Sequence, residues 1–184
     1  MPINLPTVTT NDISFGPAVI FLGASGATPT VDIGAIGEGG PKISVTAEKR
    51  EIRQGNSSLV EYAFTKMQDA VLDINGIEWE QDNFLYAIGA GNTTVSASEE
   101  TLRLGGDPVI EFVALHTRHR MAVPGHTMNV YLWKAFASGN LDTEFSLDEH
   151  TFPYQWKGMR SATRWGGGTL ASDEQLIEFH RQIT

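Results

Sequence analysis

From Lys42 to Gly55 the chain reads KISVTAEKREIRQG. Ile43, Val45 and Ala47 alternate with Ser44, Thr46 and Glu48, the period of two that marks a half-buried strand. Beyond Glu48 the apolar face ends. Lys49, Glu51 and Arg53 occupy it, Ile52 alone interrupts the polar row, and neither Pro nor Gly intervenes before Gly55. Fourteen extended residues reach roughly 45 Å, more than twice an ordinary strand. The pattern therefore predicts a strand that continues after its core has stopped. The backbone groups of its far half fall to water or to another chain. The mixed signs of Glu48, Lys49, Arg50, Glu51 and Arg53 suit register-specific pairing with a neighbour; the plainer reading of the same residues is a solvated hairpin or loop.

Elsewhere the pattern is mostly short strands and turns. Residues 1–16, with Pro2 and Pro6, read as an irregular arm. Pro17 to Gly23 and Val31 to Ile36 read as short strands, and GEGGP closes the second at Pro41. Between residues 59 and 79 two periods compete. Val60, Ala63, Phe64, Met67, Val71 and Ile74 make a helical stripe, yet Leu59–Thr65 and Ala70–Trp79 are rich in strand formers. Glu80 to Ile88 is the clearest helix, with acidic residues at its start and Gly89 in the usual C-terminal capping place. Residues 89–100 read as a polar loop. Three longer strands follow, Val109–His119, Met128–Ala137 and His150–Arg160. WGGGT, Trp165 to Thr169, reads as a flexible joint. After it, the capping-box spacing of Ser172 and Gln175 and the stripe Leu176, Phe179, Ile183 predict a short terminal helix.

Composition narrows the classes. The 184 residues suit one domain with tails: an arm over 1–16, a β domain over 17–165 and a tail over 166–184. Without cysteine there is no disulfide, thiolate metal site or thiol nucleophile. The N-terminus lacks the basic-then-apolar pattern of a signal peptide, and the run from Ala18 to Ala24 is too short to cross a bilayer. A net charge of −9 argues against phosphate-directed nucleic-acid binding. His116 and His119 point to opposite faces of a strand, so they cannot share one ion. No Gly-x-Ser-x-Gly elbow occurs, and GAIGEGG lacks both the spacing and the following helix of a dinucleotide loop. No enzymatic reading, cofactor or metal is expected. Trp79, Trp133, Trp156 and Trp165 are expected in the core rather than on a stacking platform.

EIRQGNS at Glu51–Ser57, a strand-like pair, and then the helix EQDNFLYAIGAG ending at Gly91 follow one another in an order that resembles the tail tube (major tail) proteins of long-tailed bacteriophages and related tail-like particles. The approach VDIGAIGEGG and the aromatic hairpin region MNVYLWKAFASGNLDTEFSLDEHTFPYQWKG also match that pattern, so the resemblance spans about Val31 to Gly158. It implies a mainly β fold: a β-sandwich or partly closed barrel with one flanking helix, in which 59–79 forms two strands. It further implies hexameric rings stacked into a hollow tube. Such a tube holds a tape-measure protein during assembly, meets terminator and tail-tip or baseplate proteins at its ends, and passes DNA without binding it. The location implied is the virion tail, after synthesis in the host cytoplasm, with no membrane insertion. Lys49, Arg50, Glu51, Ile52, Arg53, Gln54 and Gly55 then belong to an intersubunit contact. Glu48, Asp69, Asp73, Glu78 and Glu111, taken as carboxylates on strands, are candidates for an acidic lumen. The rival readings are a tube protein of a tail-like injection or secretion system and, in a different class, a ligand-binding β-sandwich.

Overall fold

The computed structural model describes residues 14–53, 60–105, 110–140 and 150–183. Among them run β1 (Ser14–Ala24), β2 (Val31–Asp32), β3 (Lys42–Arg53), β4 (Val60–Gly76), α1 (Gln81–Ile88), β5 (Asn92–Val95), β6 (Glu100–Arg103), β7 (Val113–Met121), β8 (Thr127–Ala137), β9 (Phe152–Gly158) and β10 (Glu178–Gln182). The fold is mainly β. One antiparallel sheet has the order β2-β1-β7-β8-β9-β4-β3, and β10 adds to β8; β5 and β6 make a separate hairpin. Ala24, Val113, Ala137, Phe152 and Gly76 share one end of the large sheet, here the upper end. Met121 and Thr127 lie at the lower end.

The core follows from alternation. On β9, Phe152, Tyr154 and Trp156 all point inward and are essentially fully buried. They face Gly76, Ile74 and Leu72 of β4 across the ladder. Burying an aromatic or aliphatic side chain of this size contributes about 1.5–3 kcal/mol. Ile20 and Leu22 of β1, Leu115 of β7, Leu132 and Ala135 of β8, and Phe84 and Ala87 of α1 complete the same cluster. Leu132 and Ala135 are three residues apart yet both point inward. The pairing slips between Val113↔Ala135 and Leu115↔Leu132, which inserts one extra residue into β8 and turns its face. Ala18 of β1 and Ile43 of β3 line one cavity with Thr117 and Val130. The two wings of the sheet thus look toward each other as in a sandwich. β2 and β3 do not pair, so no barrel closes.

Several expectations need correction. Where two strands are expected within 59–79, Val60–Gly76 is one continuous strand of 17 residues. Its polar break is absorbed where the partner of Glu48 is Met67 and that of Lys49 is Thr65, leaving Lys66 as the extra residue of a bulge. The polar loop at 89–100 contains β5 and the start of β6. The expected strand at 31–36 shortens to Val31–Asp32, with Ile36 bridging separately to Gly76. The terminal helix is absent: Glu178–Gln182 is a strand paired with Thr127–Tyr131 of β8. There β8 has an open edge, because β9 pairs only with Ala135–Ala137. Filling a sheet edge satisfies backbone groups that a helix of two turns, marginal by itself, leaves exposed. WGGGT is likewise no loose joint. Gly166 and Gly167 take positive φ and let Thr163 bridge to Thr169, which lays Trp165 against Tyr131 and Trp133. The helix itself forms as expected. Gly89 closes it in the left-handed conformation, its N–H donating to Leu85 O at 2.7 Å.

Candidate functional site

The long strand at 42–53 is half of a projecting hairpin. β3 pairs with β4 from Lys42↔Asp73 out to Arg53↔Val60. β9 accompanies β4 only over Val71–Gly76, so residues 60–70 have β3 as their sole strand partner among the described residues. About ten residues, roughly 33 Å of ribbon, stand clear of the body. This corrects the expectation that the far half of β3 is left for another chain: β4 satisfies one of its edges internally. The outer edge of β3 and the outer edge of β4 over 60–70 have no strand partner among the described residues. Gln54 and Gly55 lie outside the described residues.

The ribbon also has an apolar face that β3 alone does not show. Arg50 stands opposite Phe64 and Ile52 opposite Tyr62. Cross-strand partners share a face, so Ile52, Tyr62 and Phe64 lie together, with the two rings 6.2 Å apart. They are 51%, 62% and 38% exposed. Lys49, Glu51, Ala63 and Thr65 take the opposite face. Glu51 pairs with Arg53 at 2.8 Å and Glu48 with Lys66 at 3.1 Å; exposed pairs of this kind contribute at most about 1 kcal/mol. A two-stranded ribbon is marginal in water without further packing, and exposed aromatics are its most costly surface.

The proposed lumen residues divide into two groups. Glu48, Asp69 and Asp73 share the outer face of the β3–β4–β9 wing. Two of them pair with a cation there, Glu48 with Lys66 and Asp69 with Lys157 (3.1 Å), and Asp73 has Lys42 as its cross-strand neighbour. Asp73 also accepts a hydrogen bond from Gln155 at 2.8 Å. Three carboxylates against three ammonium groups make this face charge-balanced rather than acidic. Glu78 and Glu111 are not on strands; Glu78 lies between β4 and α1, and Glu111 precedes β7. They belong to a genuinely acidic region around α1. Burial raises the Tyr86 phenol, and Asp82 and Glu111 push it further. Burial also raises Tyr154, with Glu78 and Glu80 adding to the effect. The acidic end of the molecule is therefore its upper end.

The remaining chemistry-bearing side chains are mostly structural. Trp156 and Trp133 are buried, Trp79 packs edge-on against Phe84 and Phe152, and Trp165 caps Tyr131 and Trp133. His116 sits among Phe21, Tyr131 and Trp165, with Nε2 2.9 Å from Asn129 Oδ1. Among the described residues no group of three or more His, Asp or Glu is arranged to hold a metal ion. Sequence reasoning missed the Tyr62–Phe64 face because it read β3 without its partner. The signal was present in the alternation of Val60, Tyr62 and Phe64, which the competing helical stripe obscured.

The fold defines a class: a mainly β, sandwich-like protein with, among the described residues, one short helix and a projecting hairpin. No protein-family model matches the chain, and no curated protein matches it.

Proposed function

We propose that this chain is a structural subunit of a phage tail tube, whose copies form hexameric rings that stack into a hollow conduit for DNA. The observation that carries the reading is the β3–β4 ribbon, which leaves the body with outer edges unpaired among the described residues and an exposed Ile52–Tyr62–Phe64 face. A second copy is the occupant that completes both features at once, by strand addition and by covering the rings. Lys49, Arg50, Glu51 and Arg53 set the register of that contact. The net charge of −9 per copy keeps a passing duplex from sticking to the tube. The resemblance in element order from Val31 to Gly158 supplies the ring-and-tube form of the assembly. On this reading the lumen holds a tape-measure protein before DNA passes, terminator and tip proteins close the ends, and the chain performs no catalysis.

Negative-stain microscopy and sedimentation of the concentrated full chain test the proposal. Hollow rings or tubes are expected. The double variant Tyr62→Asp, Phe64→Asp is expected to stay monomeric while keeping the wild-type circular dichroism spectrum. A wild-type chain that remains monomeric under every assembly-promoting condition, or a double variant that assembles normally, overturns it.

A further inference from the structure

At the lower end of the sheet the charge reverses. Arg118 and Arg120 stand two residues apart on β7 and are exposed. Alternation puts both on the face shared by Val19 and Phe21 of β1, since Val19 pairs with Arg118 and Phe21 with His116. With Gly125, His126 and Thr127 these residues line an open cavity of about 410 Å³. Neither arginine makes an ion pair among the described residues. His126 Nδ1 is buried there without a hydrogen-bond partner among them. In a chain of net charge −9, two unneutralised guanidinium groups over an apolar floor form a site for an oxyanion carried on a partly apolar body.

The chain contains a segment with that chemistry. Residues 141–149 read LDTEFSLDE, with four carboxylates, no cation, and two leucines and a phenylalanine. They leave the described structure at Asn140 and re-enter at His150, both at the upper end: Ser138 N–H donates to Gln155 O, and Trp79 Nε1 donates to His150 O. Along β8 that end stands eight residues from the level of Arg118, at Asn129, and ten from the level of Arg120, at Thr127, roughly 26–33 Å. A segment tethered at 140 and 150 reaches at most about 17 Å from its anchors even when fully extended. It cannot reach the cavity of its own copy.

We infer that the Arg118–Arg120–His126 cavity receives the acidic 141–149 segment of a second copy, so that the upper end of one subunit meets the lower end of the next. Donor and acceptor are different surfaces, and a heterologous contact of this kind propagates into a ring or a stack instead of closing a dimer. The inference rests on the assembly reading above and adds to it a second, electrostatic contact, separate from the ribbon.

The test is a fluorescence-anisotropy titration of the full chain with a labelled peptide of residues 140–150. Saturable binding is expected, weakening as salt rises. It falls roughly tenfold or more in Arg118→Ala or Arg120→Ala. A peptide carrying Asp142→Asn, Glu144→Gln, Asp148→Asn and Glu149→Gln, which leaves the protein untouched, is expected not to bind. Peptide binding unchanged by either set of substitutions overturns the inference. So does a cavity that takes inorganic phosphate but not the peptide. Rings or tubes from a chain that ignores the peptide remove this contact and keep the assembly; peptide binding by a chain that never assembles keeps the contact and removes the tube.

Discussion

Tyr154 shows how a single side chain records its surroundings. Its ring lies in the core between Phe152 and Trp156, and its hydroxyl is buried with no hydrogen-bond partner among the described residues. Burial, reinforced by Glu78 and Glu80, raises its pKa. The sign of the consequence is definite: above about pH 10 the unfolded chain loses a proton that the folded chain keeps, so stability falls as pH rises. Denaturant titrations between pH 9 and 11 are expected to show a shallower loss for Tyr154→Phe than for wild type, with near-equal stability at pH 7. Gly76 is constrained by the same ring. A Cβ there would lie 2.4 Å from Tyr154 Cε2 and 3.1 Å from Phe152 Cζ. Both rings are packed on all sides, so neither yields freely. Gly76→Ala is expected to lower the unfolding free energy by about 1–3 kcal/mol, read from the denaturant midpoint. The sequence shows Asn75-Gly76 as a turn or bulge signal; that the glycine makes room for two rings from residues 152 and 154 is a long-range fact.

Among the elements, the ribbon is the one the core needs least. Every residue whose side-chain exposure is described from Thr46 to Arg53 and from Val60 to Gln68 is exposed, so the ribbon adds little to the core. Replacing residues 47–68 by Asn-Gly, a natural two-residue hairpin turn, is expected to leave stability within about 1 kcal/mol while abolishing assembly. Thermal melting and sedimentation check the two halves of that statement; a shortened chain that fails to fold would show the ribbon to be part of the core. α1 was legible in full, because its periodicity, its acidic start and its Gly89 cap all agree. β10 was not. The stripe Leu176, Phe179, Ile183 fits a helix, and only the open edge of β8 over Thr127–Tyr131 makes the extended form the better one.

For the whole molecule, the distribution of charge matters more than its sum. Carboxylates gather around α1 at the upper end, the β3–β4–β9 face is balanced, and at the lower end Arg118 and Arg120 make no ion pair among the described residues. In the proposed assembly, a copy polar in this sense favours stacking in one direction and opposes the reverse, since like ends repel. The two proposed contacts, at the ribbon and at the cavity, are separate, and the microscopy and peptide experiments test them separately.

Local pattern was enough for the mainly β class, the helix with its cap, the long strand at 42–53 and the three strands before 160, because each rests on a local period or a local turn. It did not determine which strand accompanies the far half of β3, that 60–76 is unbroken, that the tail returns to β8, or which face each carboxylate shares with a lysine. Those depend on register between separate strands, from Arg53↔Val60 within the ribbon to the tail's Gln182↔Thr127, and a one-residue bulge such as that at Lys66 is enough to exchange the faces. Pairing partners, not propensity, decided them.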